Sequence, residues 1–240
     1  MVGEKLMKRL PWASEAKPPN VIFILADDLG YADLSCFGQD EFKTSNIDRL
    51  AATGLRLTNA YANSSICSPT RVGLATGRYQ YRLRVGLDEP IAGFNSPEGE
   101  IHLPDDHPTI ASLFKARGYR TGYLTSQNLS FQDQGTFLRT SAIDEKREAR
   151  DRNPHSDVDI GSPDEVSAAE ALAFIEKGGG PAFTVLHFPN THLPYRQVPG
   201  HTPHQKTVDK ADPKKAASDA ADARHMKYLN ALVHQDAVIG

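Results

Sequence analysis

Cysteine is scarce in this chain, with two among 240 residues, Cys36 and Cys67. Two thiols cannot build the disulfide framework of a small secreted domain, and no C-x-x-C pair is present to hold zinc. Long hydrophobic runs are missing as well. The longest, Val21 to Ala26, has six residues against the roughly 20 that a membrane span needs, so no span is expected. Neither sign of charge dominates, since 27 Lys and Arg face 30 Asp and Glu for a net of -3. Without a basic field to meet a phosphate backbone, nucleic acid is not an expected partner. The first twenty residues are basic at the start but lack the apolar core of a secretory leader. As written the chain reads as cytoplasmic, or as exported if its true N-terminus is missing. What is present, 39% hydrophobic residues over 240 positions, is enough for a sizeable core.

The apolar run Val21-Ile22-Phe23-Ile24-Leu25-Ala26 closes on Asp27-Asp28-Leu29-Gly30 and reads as a parallel strand buried on both faces. Thr44 or Ser45 is placed to cap a short helix that Gly54 stops, and Leu55 to Tyr61 alternates like a strand. Ser68-Pro69 predicts a cap followed by a first-turn proline, with Gly77 past the helix end, which sets Cys67 at a helix N-terminus. A helix from Pro108, with Ile110, Leu113 and Phe114 on one face, leads into a strand from Tyr119 to Thr125. A second helix, Asp164 to Lys177, turns Ala168, Ala171, Leu172 and Ile175 inward and leads through three glycines into a strand from Ala182 to Phe188. The stretches 144–152 and 200–221 read as solvated loops, and a helical pattern starts at Lys227. Alternating strands and helices predict an α/β fold with a doubly wound, mostly parallel sheet and helices on both faces.

Ligands of open α/β sheets bind beyond the C-terminal strand ends. Asp27-Asp28, Ser126-Gln127-Asn128 and Asn190-Thr191-His192 all follow strand ends, and Cys67 opens a helix on the same rim. Adjacent carboxylates suit a hard cation such as Ca²⁺ or Mg²⁺, while the plain alternative is one turn-capping and one solvated aspartate. A thiol at a helix N-terminus gains from the dipole, while a lone cysteine also serves as a small buried hydrophobe. Taken alone, His192 reads as a structural residue.

The string Cys67-Ser68-Pro69-Thr70-Arg71 has the form C-x-P-x-R and resembles the signature of the type I sulfatases of the alkaline phosphatase superfamily. The resemblance extends to residues 19–31, to Asn46-Ile47-Asp48-Arg49-Leu50-Ala51, to Ala75-Thr76-Gly77-Arg78-Tyr79 and to Gly118-Tyr119-Arg120-Thr121, in the family's order. It implies an alkaline phosphatase-like fold and a sulfuric ester hydrolase acting on a sulfate ester. Cys67 would be oxidised to formylglycine by a formylglycine-generating enzyme, its hydrate serving as nucleophile. Asp27 and Asp28, with the modified Cys67, would bind Ca²⁺, with Mg²⁺ as the other choice; Arg71 would offset the nucleophile's charge and His192 protonate the leaving oxygen.

Two features depart from the family pattern. Ser126 and Asn128 stand where a lysine and a histidine are expected, as in relatives that transfer phosphoesters, so a phosphoester hydrolase or phosphotransferase is the first alternative. The family's remaining metal ligands, an Asp-Asn pair that another lysine follows, find no counterpart in residues 201–240. The expectation is therefore an N-terminal extension over 1–17 and the N-terminal part of a sulfatase catalytic domain over 18–240, truncated at its C-terminus. A degenerate, non-catalytic domain is the second alternative.

Overall fold

A computed structural model describes residues 17–83, 103, 107–125, 143–148, 163–192 and 213–240. Its strands are β1 (Val21–Ala26), β2 (Arg120–Thr125), β3 (Glu145–Glu148) and β4 (Ala182–Phe188). Its helices are α1 (Ser45–Thr53), α2 (Cys67–Thr76), α3 (Ile110–Lys115), α4 (Pro163–Glu176) and α5 (Pro213–Ile239). The strands form one sheet in the order β1-β4-β2-β3, parallel at every pairing. Parallel pairing places all four C-terminal ends on one rim. The registers align Ala26 with Phe188 and Thr125 with His187 there.

Alternation along the central strands feeds two separate cores. Tyr123, Phe183 and Val185 join Ala75 of α2 and Ala111 of α3 on one face. Leu124, Ala182, Leu186 and Phe188 meet Ala171 and Phe174 of α4 on the other, with Val238 and Ile239 of α5 against them. Helices therefore cover both faces, as expected of a doubly wound α/β sheet. The rings of Phe114 and Phe183 stack with centroids 4.2 Å apart and fasten α3 to β4. At Gly122 the fold needs the missing side chain, because a Cβ there would lie 3.0 Å from the Phe174 ring of α4.

The order of the sheet corrects several expectations. β1 is an edge strand among the described residues, so Ile22 and Ile24 are 48% and 38% exposed rather than buried on both faces. The helix on that side, α4, packs over β4 and β2 and stops short of them. The segment 55–61 forms no strand; it has no ladder partner, and Leu55 and Tyr61 are exposed. Conversely, Glu145–Glu148 pairs with β2 although all its side chains are charged, a composition that a sheet edge tolerates. Leu113 and Leu172, assigned inward, are 55% and 57% exposed, because α3 is too short and α4 too narrowly seated to bury them. Proline-led and alanine-rich, 213–221 is helical and continues into the segment expected from Lys227, giving a single α5; 201–212 lies outside the described residues.

α5 returns to the N-terminal half, where one of its carboxylates caps α1. Asp236 Oδ1 accepts the backbone N–H groups of Asn46 at 3.1 Å and Ile47 at 2.8 Å, and so caps α1 from 190 residues away. Thr44, the residue before α1, makes no cap and instead bonds Ser35 and Asp48. Asp236→Ala is therefore expected to lower stability by about 2 kcal/mol, as loss of a buried cap does. Urea unfolding should show a lower midpoint with an unchanged slope.

Candidate active site

The site is assembled from the ends of β1, β2 and β4 and the first turns of α2. α2 begins at Cys67 with Ile66 before it, two residues earlier than a cap at Ser68 would give, so Pro69 is its third residue. Proline is still harmless there, because its absent N–H has no partner within the first turn. Gly77, at φ 65, ends the helix. Cys67 and Arg71 stand four residues apart and share a helix face.

Arg71 is the link between the two sequence segments. Its Nη2 donates to Asp27 Oδ2 at 2.9 Å, and both side chains are less than a tenth exposed. The same carboxylate oxygen lies 3.2 Å from Nε2 of His187, whose Nδ1 is 3.3 Å from Thr125 Oγ1. Thr191 Oγ1 donates to the Asp27 carbonyl at 2.5 Å, fixing the backbone as well. Burial, the largest influence on the Asp27 carboxyl, pushes its pKa up; the His187 hydrogen bond and the charges of Arg71, His187 and His192 outweigh it and hold the group below its ordinary value.

Asp28 sits at φ 61, the left-handed region that aspartate tolerates better than most residues. This turn leaves its side chain more than half exposed, with Oδ2 3.7 Å from Nε2 of His192. His192 itself is positioned by a turn, its N–H donating to the Pro189 carbonyl at 2.9 Å. Cys67 is half-buried at the head of α2. Asp27, Asp28, Arg71 and His192 thus form a connected set, and the helix carrying Arg71 brings Cys67 to the same rim. Ser126 and Asn128 lie outside the described residues, as does the side chain of Ser68.

The sequence does not single out His187 or Thr125, and it marks Thr191 only as part of the strand-end segment Asn190-Thr191-His192. His187 and Thr125 occupy the C-terminal turns of expected strands, so the strand-end rule that found Asp27 extends to them once residues inside the strand are admitted. As for a cation, the available donors are hard oxygens. Asp27 Oδ2 is taken by Arg71 and His187, which leaves Oδ1, and Asp28 adds a carboxylate open to solvent. These fit Ca²⁺ or Mg²⁺ chemistry and furnish part of a shell. Among the described residues no group of three or more His, Cys, Asp or Glu side chains is arranged to hold a metal by itself.

Comparison with known proteins bears on the family and the fold. The Sulfatase family model matches residues 19–240. Human arylsulfatase A is 42% identical over 123 residues, covering 51% of this chain and 23% of that protein. A solved protein of the alkaline phosphatase superfamily from Vibrio parahaemolyticus aligns over 93% of this chain and 49% of its own, with TM-score 0.56 and 22% identity. The phosphonate monoester hydrolase of Agrobacterium radiobacter aligns over 93% and 58%, with TM-score 0.65 and 18% identity. The chain's match thus spans about a quarter of the length of arylsulfatase A, and about half of these solved chains. Both solved structures share its fold. With the family model covering nearly the whole sequence, the chain belongs to the sulfatase family.

Proposed function

We propose that residues 18–240 form the N-terminal part of a catalytic domain that hydrolyses sulfate monoesters, with a formylglycine made from Cys67 as nucleophile and a divalent cation at Asp27 and Asp28. The observation that carries this reading is the buried Arg71–Asp27 ion pair. It joins the C-x-P-x-R helix to the carboxylate pair across 44 residues of sequence, and neither solvated aspartates nor a cysteine used as core filler would require it. Ca²⁺ is the first choice of cation and Mg²⁺ the second; when bound, it would neutralise sulfate oxygens and favour ionisation of the aldehyde hydrate.

The protein's own residues supply the rest. Arg71, held by Asp27, presents positive charge beside the helix face of Cys67, where negative charge gathers during attack. His192, half-exposed on the rim, is placed to carry a proton on Nε2 to the departing ester oxygen, with Asp28 3.7 Å from the same atom. Asp27 is pinned at both its carboxylate and its carbonyl. Family membership favours the sulfate ester over the phosphoester and non-catalytic alternatives.

The proposal is tested on the chemistry of position 67. Co-expression with a formylglycine-generating enzyme is expected to convert Cys67 to the aldehyde, read by mass spectrometry of its peptide. Pro69→Ala and Arg71→Ala should each block conversion, and Cys36, which lies outside the motif, should remain a thiol. An intact Cys67 thiol under conditions that convert a control sulfatase overturns the assignment.

A further inference from the structure

Three strand ends beneath the rim are joined through one buried imidazole. His187 is 0% exposed, Thr125 is 1% exposed, and Asp27 is 7% exposed. A carboxylate only accepts, so at 3.2 Å from Asp27 Oδ2 the His187 Nε2 carries a proton. The Thr125 hydroxyl both donates and accepts, so it can hold Nδ1 at 3.3 Å whether or not that nitrogen is protonated. The register produces this alignment, because Thr125 and His187 are paired residues of β2 and β4 while Asp27 N–H continues the β1 ladder to the Phe188 carbonyl at 3.0 Å. Packing alone does not call for a histidine. The neighbouring positions of β4 are filled by Leu186 and Phe188, and burying a ring with two polar nitrogens is favourable only because both meet partners.

We propose that His187, oriented by Thr125, is a positioning residue that fixes the Asp27 carboxylate so that Oδ1 is presented to the cation. The inference rests on the reading of Asp27 and Asp28 as cation ligands. Arg71 alone would hold Asp27 Oδ2 from one side and leave the carboxylate free to rotate about its last bond. A second donor on the same oxygen, mounted on the neighbouring strand, removes that freedom. Supporting groups of this kind commonly alter metal affinity by tenfold or more when lost.

The test uses the 240-residue chain with Mn²⁺ as the probe, a hard cation whose paramagnetic broadening of amide signals reports binding site by site. In the wild type, broadening should centre on the signals of Asp27 and Asp28, and Asp27→Asn should abolish it. His187→Phe should raise the Mn²⁺ concentration for half broadening at least tenfold. His187→Gln, whose amide nitrogen can replace Nε2, should return it to within about threefold of the wild type. Thr125→Val, nearly isosteric, should raise it about threefold, because the ring loses the Nδ1 partner that holds its orientation. If His187→Phe fails to fold, Thr125→Val and His187→Gln decide. Loss of the signal in Asp27→Asn together with wild-type titrations for His187→Phe and Thr125→Val overturns the positioning role and leaves the cation reading intact. Broadening that ignores Asp27→Asn, or none near these residues in the wild type, overturns the cation reading and this inference with it.

Discussion

Arg71→Met is expected to lower the free energy of unfolding by about 3 kcal/mol at pH 7, the low end of what removing one partner of a buried ion pair costs. The low end applies because Asp27 keeps the His187 hydrogen bond at 3.2 Å after the guanidinium is gone. Asp27→Asn in the Arg71→Met background should recover part of the loss, since the carboxamide brings no buried charge. That sign of coupling identifies an ion pair rather than lost packing of the arginine stem. A pH dependence accompanies it. The Asp27 pKa is depressed below its ordinary value of 3.8, so the group adds stability above that pH and the contribution is lost as pH falls through the lower folded value. Arg71→Met removes one of the charges that depress it. The difference between variant and wild type should therefore shrink as the medium is acidified below about pH 4. Urea unfolding of the wild type, Arg71→Met, Asp27→Asn and the double variant at pH 7 and in acid reads both effects.

How far the sequence alone reaches can be judged from individual elements. The sequence places β4 at its observed ends because Ala182 to Phe188, apolar apart from Thr184 and His187, lies between a glycine break and a proline, the pattern of a central strand. β1 has the same pattern, yet its outer face is open among the described residues. Composition tells that a strand could be covered, and only the strand order tells whether it is. β3 was invisible for the opposite reason, since Glu145-Lys146-Arg147-Glu148 carries no apolar alternation and owes its conformation to the ladder offered by β2. The stretch 55–61 shows that alternation without a partner does not make a strand. In the site, the motif residues Asp27, Asp28, Cys67, Arg71 and His192 were legible as candidates that share one rim. Their wiring was not. Arg71 is expected beside the nucleophile, and its ion pair with Asp27 at 2.9 Å comes in addition, a pairing between segments that no local pattern encodes. His187 stayed hidden because a polar residue inside an apolar strand gives no sign of which neighbour it will meet.

Asp164 leads to the other large effect. It lies at the start of α4, fully buried, and accepts the Asn190 backbone N–H at 3.3 Å and the Gln235 amide at 3.1 Å. It therefore ties α4, α5 and the segment just before His192 together. Burial dominates its titration and, against those two hydrogen bonds, pushes its pKa up from 3.8 to about 7; the nearby Glu165 charge acts in the same direction. An acid whose folded pKa is raised binds its proton more tightly in the native state. Its stabilising contribution is thus complete below pH 3.8 and is lost as pH rises towards 7. The size of that loss is on the order of 4 kcal/mol, an upper figure for a group that can relax toward water when ionised. In Asp164→Asn the carboxamide oxygen can still accept one of the two hydrogen bonds and has no proton to lose. The variant should accordingly match the wild type or fall slightly below it near pH 4, and exceed it by several kcal/mol at pH 8. This window lies above the one set by Asp27, so the two titrations separate on the pH axis. Thermal unfolding of both proteins from pH 4 to 8 provides the measurement. A wild-type curve that stays as flat as that of Asp164→Asn across this range would falsify the assignment of a buried, proton-binding carboxylate at the junction of α4 and α5.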